Sequence, residues 1–203
     1  MFKLKPVMTF LFVAALLSCG PSRKTTQTTG GDIVVSTTTP DDTHPAKKFD
    51  SIQVKYAGWL HTSPEQLSNI RLYRFIDQWL YTPYKWGGAD KEGIDCSAFL
   101  QLLFADVYHI EIPRTSVQQF FEQWIDRFGS AHFLSEGDLV FFQTIGDNAV
   151  SHVGLYLCNH MFVNSSSSKG VSIASLDDPY WKSRFVAAGR IKRVPPTQAA
   201  PVQ

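Results

Sequence analysis

Apolar positions recur at helical spacing in the first half of the chain's central region and at strand spacing in the second. Leu67, Ile70, Tyr73, Ile76 and Leu80 fall near a 3.6-residue period, leaving Arg71, Arg74 and Gln78 free to face water. Ser63-Pro64-Glu65-Gln66 just before them offers a cap residue, a proline at the first helical position and a Gln three after the Ser. The pattern predicts a helix that opens there and ends by Pro83. A second apolar run, Ala98, Phe99, Leu102, Leu103 and Ala105, follows the loop Gly93-Ile94-Asp95-Cys96-Ser97 and predicts a helix with Cys96 at its start. Thr115-Ser116-Val117-Gln118 is a capping box that predicts a third helix through Phe120, Phe121 and Trp124.

From Gly137 the period changes to that of short extended runs: Leu139 to Gln143, Val150 to Leu157, Met161 to Asn164, Val171 to Ala174, and Phe185 to Ile191. Turn residues punctuate them at Gly146-Asp147-Asn148, Cys158-Asn159-His160 and Ser168-Lys169-Gly170. Helices first and strands afterward predict an α+β domain with an antiparallel sheet, the Cys96 helix packing across it.

Candidate chemistry lies on these elements. A cysteine at a helix start meets the positive end of the dipole, which favours thiolate and makes a nucleophile available near neutral pH, although a buried structural cysteine fits the same position. On strand alternation His152, Gly154 and Tyr156 share one face, opposite Val153, Leu155 and Leu157. His152 paired with Cys96 reads as a general base; taken alone it reads as a satisfied core or edge histidine. Asn164 ends the next apolar run, where it is either a strand terminator or an acceptor that fixes one imidazole nitrogen. Asp95 has a plain helix-cap reading as well.

Taken in order, Thr82-Pro83-Tyr84-Lys85-Trp86-Gly87-Gly88, Gly93-Ile94-Asp95-Cys96-Ser97, Ile112-Pro113-Arg114-Thr115-Ser116 with Gln118-Gln119, Glu136-Gly137-Asp138-Leu139-Val140-Phe141-Phe142 and Ser151-His152-Val153-Gly154-Leu155-Tyr156 resemble the NlpC family of bacterial cell-wall cysteine endopeptidases, a papain-like group. Asp178-Pro179-Tyr180-Trp181 leading to Arg184-Phe185 resembles that family's C-terminal signature. The resemblance runs from about Leu67 to Ile191. It implies Cys96 as nucleophile, His152 as base and Asn164 as the polar residue that orients the histidine. Many members place a histidine there, within Val-His-Ala-Ser; this chain reads Val163-Asn164-Ser165-Ser166, and papain-type enzymes use Cys, His and Asn together. It further implies Tyr84, Asp95, Ser97 and Thr115 as substrate-binding residues. Tyr84 would line the cleft near the oxyanion, and Asp95 would meet a free amine where the substrate has one. The implied activity is hydrolysis of amide bonds in murein stem peptides, either γ-D-glutamyl to diamino acid or the D-alanyl cross-link, and the alternative is an inactive cell-wall-binding lipoprotein of the same fold.

The N-terminus addresses location. Lys3 and Lys5 precede a short apolar stretch, Val7 to Leu17, and then Leu16-Leu17-Ser18-Cys19-Gly20, which resembles a bacterial lipobox. The expectation is a signal peptide over 1–18, lipidation of Cys19, a Thr-, Ser-, Gly- and Pro-rich tether over 19–48, a catalytic domain over 49–194 and a disordered tail over 195–203. The expected location is the bacterial envelope, lipid-anchored on the periplasmic face of the outer membrane, with the protein a monomer. The domain left after trimming is roughly 145 residues, enough for one core. Nineteen Lys and Arg against eighteen Asp and Glu, a formal charge of +1, give no electrostatic case for nucleic acid, so no nucleic-acid partner is expected. No cofactor or metal is expected: a zinc site from Cys96, His152 and His160 lacks a close ligand pair. Of the three cysteines, Cys158 is assigned to packing rather than to a disulfide with Cys96.

Overall fold

The computed structural model describes residues 48–146 and 150–192, all within one compact unit. The expectations for residues 1–18, for Cys19, for nearly all of the tether and for the tail, and most of the turn at 146–148, lie outside the described residues.

Helix α1 (Ser51–Trp59) was not anticipated, because its buried residues Ile52, Tyr56 and Ala57 make no long apolar stripe. A reciprocal cap holds it: the Asp50 carboxylate accepts from the Ile52 N–H at 3.0 Å, and the Asp50 N–H donates to Gln53 Oε1 at 3.0 Å. The Gln53 amide also donates to the carbonyls of Pro64 and Leu67, so α1 ties down the loop that follows. The helix expected to open at Ser63 is split. Pro64–Gln66 makes only a 3-10 turn without a side-chain bond from Ser63, and α2 (Ile70–Trp79) starts afresh with Asn69 accepting from the Leu72 N–H at 3.2 Å. Leu67 is fully buried but lies outside the helix, so the apolar period ran across a break in the backbone.

A small hairpin, β1 (Ala89–Asp90) and β2 (Gly93–Ile94), leads into α3 (Cys96–Leu103), which continues as a π-helical turn over Phe104–Tyr108. The Thr115 capping box forms as expected and opens α4 (Ser116–Phe121), but Glu122 is extended, so Trp124 lies past the helix end. Strand β3 (Ile125–Phe128) was missed; its burial does not alternate. The remaining strands fall near the expected positions: β4 (Leu139–Phe142), β5 (His152–Tyr156), β6 (Met161–Ser166), β7 (Gly170–Ser175) and β8 (Phe185–Ile191), with the short α5 (Pro179–Lys182) before β8.

The six strands β3-β8-β4-β5-β6-β7 form one sheet in which every recorded pairing is antiparallel, as the helices-then-strands order predicts. One face carries Val153, Leu155 and Val163 into a core shared with Phe99, Leu100 and Leu103 of α3. The other buries Val140, Phe142, Tyr156 and Phe162, with Trp181 of α5 packed on them. Gly154 is required where the two strands cross closest: a Cβ there would lie 2.6 Å from the Phe162 ring and 2.9 Å from the Val163 carbonyl oxygen. Gly170, at φ +63°, lets β7 start against the Thr82 carbonyl, which accepts from the Val171 N–H at 3.0 Å.

Candidate active site

Cys96 stands at the first position of α3, capped by Asp95, whose Oδ1 accepts from the Ala98 N–H at 2.7 Å. Its sulfur also receives the Val153 N–H, so the thiol lies against β5 one residue past His152. Helix α3 thus packs against β5, as the expected order of helices and strands requires. His152 and Asn164 follow from the same strand geometry: on β5 and β6, both side chains are buried, and His152 Nε2 lies 3.1 Å from Asn164 Oδ1.

The hydrogen-bond pattern fixes the ring. Asn164 Nδ2 donates to the Ser172 carbonyl at 3.4 Å, which leaves Oδ1, an acceptor only, toward the imidazole. Nε2 is therefore the donor, and in the neutral ring Nδ1 is left unprotonated with a lone pair to accept a proton. The Trp181 ring stacks on the imidazole, with centroids 5.2 Å apart and planes at 29°. His160 lies elsewhere: its Nδ1 meets the Asp177 carboxylate at 3.0 Å on the surface.

Burial dominates the electrostatics. It pushes the Cys96 thiol up to about 11, against the N–H groups of Val153, Ser97 and Cys96 itself, and the Asp95 charge adds to the rise. It drives His152 down to about 4, with the Asn164 bond and the Asp95 charge only partly opposing it. The expectation of a thiolate near neutral pH is thus corrected: desolvation outweighs the helix terminus, and the resting pair is thiol and neutral imidazole. Cys96 and Cys158 are both unbridged.

Asp95 is engaged well beyond capping. Arg114 grips it with two bonds, Nη1 to Oδ1 at 3.0 Å and Nη2 to Oδ2 at 2.7 Å, and the Ser97 hydroxyl donates to Oδ1 at 3.0 Å. Burial alone would raise the Asp95 carboxyl, but these bonds together hold it below the ordinary carboxylate range. The Gln119 amide donates to the carbonyls of Ser97 and Pro113, tying the first turn of α3 to the segment that carries Arg114.

A cleft of about 530 Å³ opens over these groups, and Tyr84, Asp95, Cys96, Ser97 and Thr115 all line it, together with Trp86, Arg114, Val117 and Ile145. All the binding residues expected from the sequence thus share one cavity. The Tyr84 phenol is raised by burial and by the neighbouring Cys96 and Asp95 charges. Arg114 and Trp181 received no role from the sequence. Both stood inside quoted motifs, but only the fold supplies the partner of each. Among the described residues no cluster of three or more His, Cys, Asp or Glu is arranged to hold a metal.

A cysteine-led helix packed on an antiparallel sheet that carries the His152–Asn164 pair is an α+β arrangement of the papain-like class. Within it, the sequence profile of the NlpC/P60 family matches residues 81–190, more than half of the chain, and the chain belongs to that family. It is 40% identical over 115 residues to a probable endopeptidase NlpC homolog of Haemophilus influenzae, covering 57% of this chain and 58% of that one. It is 40% identical over 121 residues to the murein DD-endopeptidase MepS/murein LD-carboxypeptidase of Escherichia coli K12, covering 58% of this chain and 62% of that one. The chain therefore spans about three fifths of the length of each of these two relatives. A solved NlpC/P60 family protein from Bacillus cereus ATCC 10987 superposes with a TM-score of 0.53 at 28% identity, covering 60% of this chain and 39% of that one.

Proposed function

We propose that this chain is a murein peptide hydrolase in which Cys96 is the nucleophile, His152 the general base and Asn164 the residue that holds the base in its working tautomer. The observation that carries the reading is the joint placement of the Cys96 sulfur on the Val153 N–H and of His152 Nε2 on Asn164 Oδ1. The thiol passes its proton to His152 Nδ1 as the sulfur attacks an amide carbonyl. Backbone N–H groups at the start of α3 receive the oxyanion, and the imidazolium then protonates the departing amine, leaving a thioester. Water, deprotonated by Nδ1, releases the carboxylate and restores the thiol.

Asp95 bears on the bond that is cut. Its carboxylate already carries the Arg114 guanidinium, the Ser97 hydroxyl and the Ala98 N–H, so a substrate's free α-amine would meet a charge that is already neutralised. This favours substrates without a free amine at that point, and the D-alanyl cross-link over a short released peptide. The name of the E. coli relative is consistent with that choice. Cys19 is the proposed lipid attachment, anchoring a monomeric enzyme in the cell envelope through the Thr-rich segment and raising its effective concentration at the wall.

Purified protein incubated with cross-linked and uncross-linked muropeptides, with products read by mass spectrometry, tests this. Wild type should convert cross-linked dimers to monomers and Cys96→Ala should not. Equal absence of cleavage in both, across pH and reductant, would replace the hydrolase with a binding lipoprotein of the same fold.

A further inference from the structure

A second cavity of about 440 Å³ lies apart from the Cys96 cleft, between the C-terminal ends of α1 and α2 and the outer strands β6 and β7. Its walls are Trp59, His61 and Tyr81, and its floor includes Met161, Ser172 and Ile173. The volume is in the range of small-ligand sites, and the lining mixes aromatic and apolar faces with a few polar groups, as such sites do. Nothing in the mechanism uses it.

The walls are held in place. Asn159 Nδ2 donates to the carbonyls of Leu60 and His61, both at 2.9 Å, and the Tyr81 N–H donates to the Val171 carbonyl at 2.9 Å. His61 and Tyr81 are non-glycine residues at φ +51° and +66°, a conformation that persists only where the surroundings impose it and that gathers at ligand sites. It presents Tyr81 to solvent with 74% of its surface exposed, and Trp59 beside it is 40% exposed. An aromatic pair this exposed on one pocket is a binding platform in search of an amphipathic partner.

Charge narrows the class of ligand. None of the described lining residues is Lys, Arg, Asp or Glu. Lys55, 5.0 Å from the Trp59 ring centroid, is already paired with Asp77. A peptide stem with its carboxylates finds no cation here, whereas a neutral sugar offers C–H faces to the rings and hydroxyl and acetamido groups to His61 and Ser172. Tyr81 is three residues before Tyr84 of the cleft, a stretch of chain that spans at most about 11 Å. One polymer carrying both peptide and sugar can therefore reach both cavities.

We propose that this pocket binds an N-acetylhexosamine unit of the glycan strand; the inference rests on the murein reading above for the polymer, and on the pocket for the sugar. The test is an NMR titration of the isotopically labelled chain with a β-1,4-linked N-acetylglucosamine tetramer. Shifts are expected at the Trp59 indole and at the Tyr81 and Ser172 amides. Tyr81→Asn, which removes the ring but suits the left-handed backbone, should weaken the saccharide about three- to tenfold. It should leave cleavage of sugar-free cross-linked stem peptides unchanged while slowing cleavage of intact sacculi. Absence of shifts, shifts confined to the Tyr84 and Trp86 cleft, or unchanged affinity in Tyr81→Asn would overturn the site. Cleavage of free muropeptides without saccharide shifts sinks this inference alone, whereas saccharide shifts at Tyr81 with all muropeptides uncut sink the hydrolase reading and leave the pocket standing.

Discussion

Replacing Asn164 by Ala removes the hydrogen-bond acceptor that, among the described residues, decides which nitrogen of His152 carries the proton. The contact is 3.1 Å long between side chains whose residues are 6% and 1% exposed, so water does not readily stand in for the lost acceptor. An unpaired buried N–H costs about 1–3 kcal/mol. The neutral ring escapes that cost by moving its proton to Nδ1, which is the atom that must receive the Cys96 proton. If the tautomer balance tips by the same amount, the competent fraction, and with it kcat, falls about 5- to 150-fold, since about 1.4 kcal/mol is tenfold. KM should change little, because Asn164 does not line the cleft. The assay is kcat and KM on a purified cross-linked muropeptide, read alongside thermal unfolding. Asn164→His, which restores a ring-nitrogen acceptor at the same place, should recover much of the lost turnover, as the prevalence of histidine in the family's Val-His-Ala-Ser stretch leads one to expect. A kcat for Asn164→Ala within about twofold of wild type, with the protein folded, would refute the reasoning and reassign Asn164 to a structural role within β6.

Acid should destabilise the fold through His152. Its folded value of about 4 lies below the ordinary 6.5, so between those limits the unfolded chain binds more protons, and stability falls as pH drops from 6.5 toward 4 by up to about 3 kcal/mol. His152→Gln should therefore lose less stability than wild type between pH 7 and pH 4.5 in denaturant melts, and equal losses would contradict the assignment. Arg114→Ala strips Asp95 of its cation and should cost about 2 kcal/mol after discounting for the partial exposure of the arginine, with cleavage falling as the start of α3 loosens. An unchanged melting temperature would show that the pair is dispensable. Trp181→Ala opens the imidazole to water, so His152 should titrate closer to 6.5 and the acid limb of kcat/KM should move up in pH. A limb that stays in place would deny Trp181 that shielding role.

What could be read from the chain divides along physical lines. The places of Cys96, His152 and Asn164 were legible in local pattern, as a capped helix start, a period-2 alternation and the end of an apolar run, whereas joining them into one set came only from the family resemblance. The Thr115 cap was legible for the same reason, since both partners of the box are three residues apart. The break between Leu67 and Ile70 was not, because burial of Leu67 satisfies a helical period whether or not the backbone is helical there. Strand β3 escaped because it has one buried residue, Ile125, and takes its order from pairing with β8, a segment some sixty residues later. Arg114 and Trp181 are both half-exposed residues whose meaning resides in a distant partner, Asp95 or His152.

The protonation states follow the same division and carry the larger consequence. A helix start beside a cysteine, read locally, argues for thiolate, and the N–H groups that favour it are present in the fold. Yet the packing of α3 and the sheet also removes both Cys96 and His152 from water, and desolvation acts on each in the direction of the neutral form. Moving the proton from sulfur to Nδ1 then creates two buried charges at once. That step is unfavourable at rest and becomes favourable only when the sulfur's charge passes on to a carbonyl oxygen lying against the α3 N–H groups. The chemistry this arrangement permits is therefore coupled to an acyl substrate in the cleft: the thiol stays protonated, and slow to react with stray electrophiles, until a bond worth cutting supplies the oxyanion that the helix terminus is built to receive.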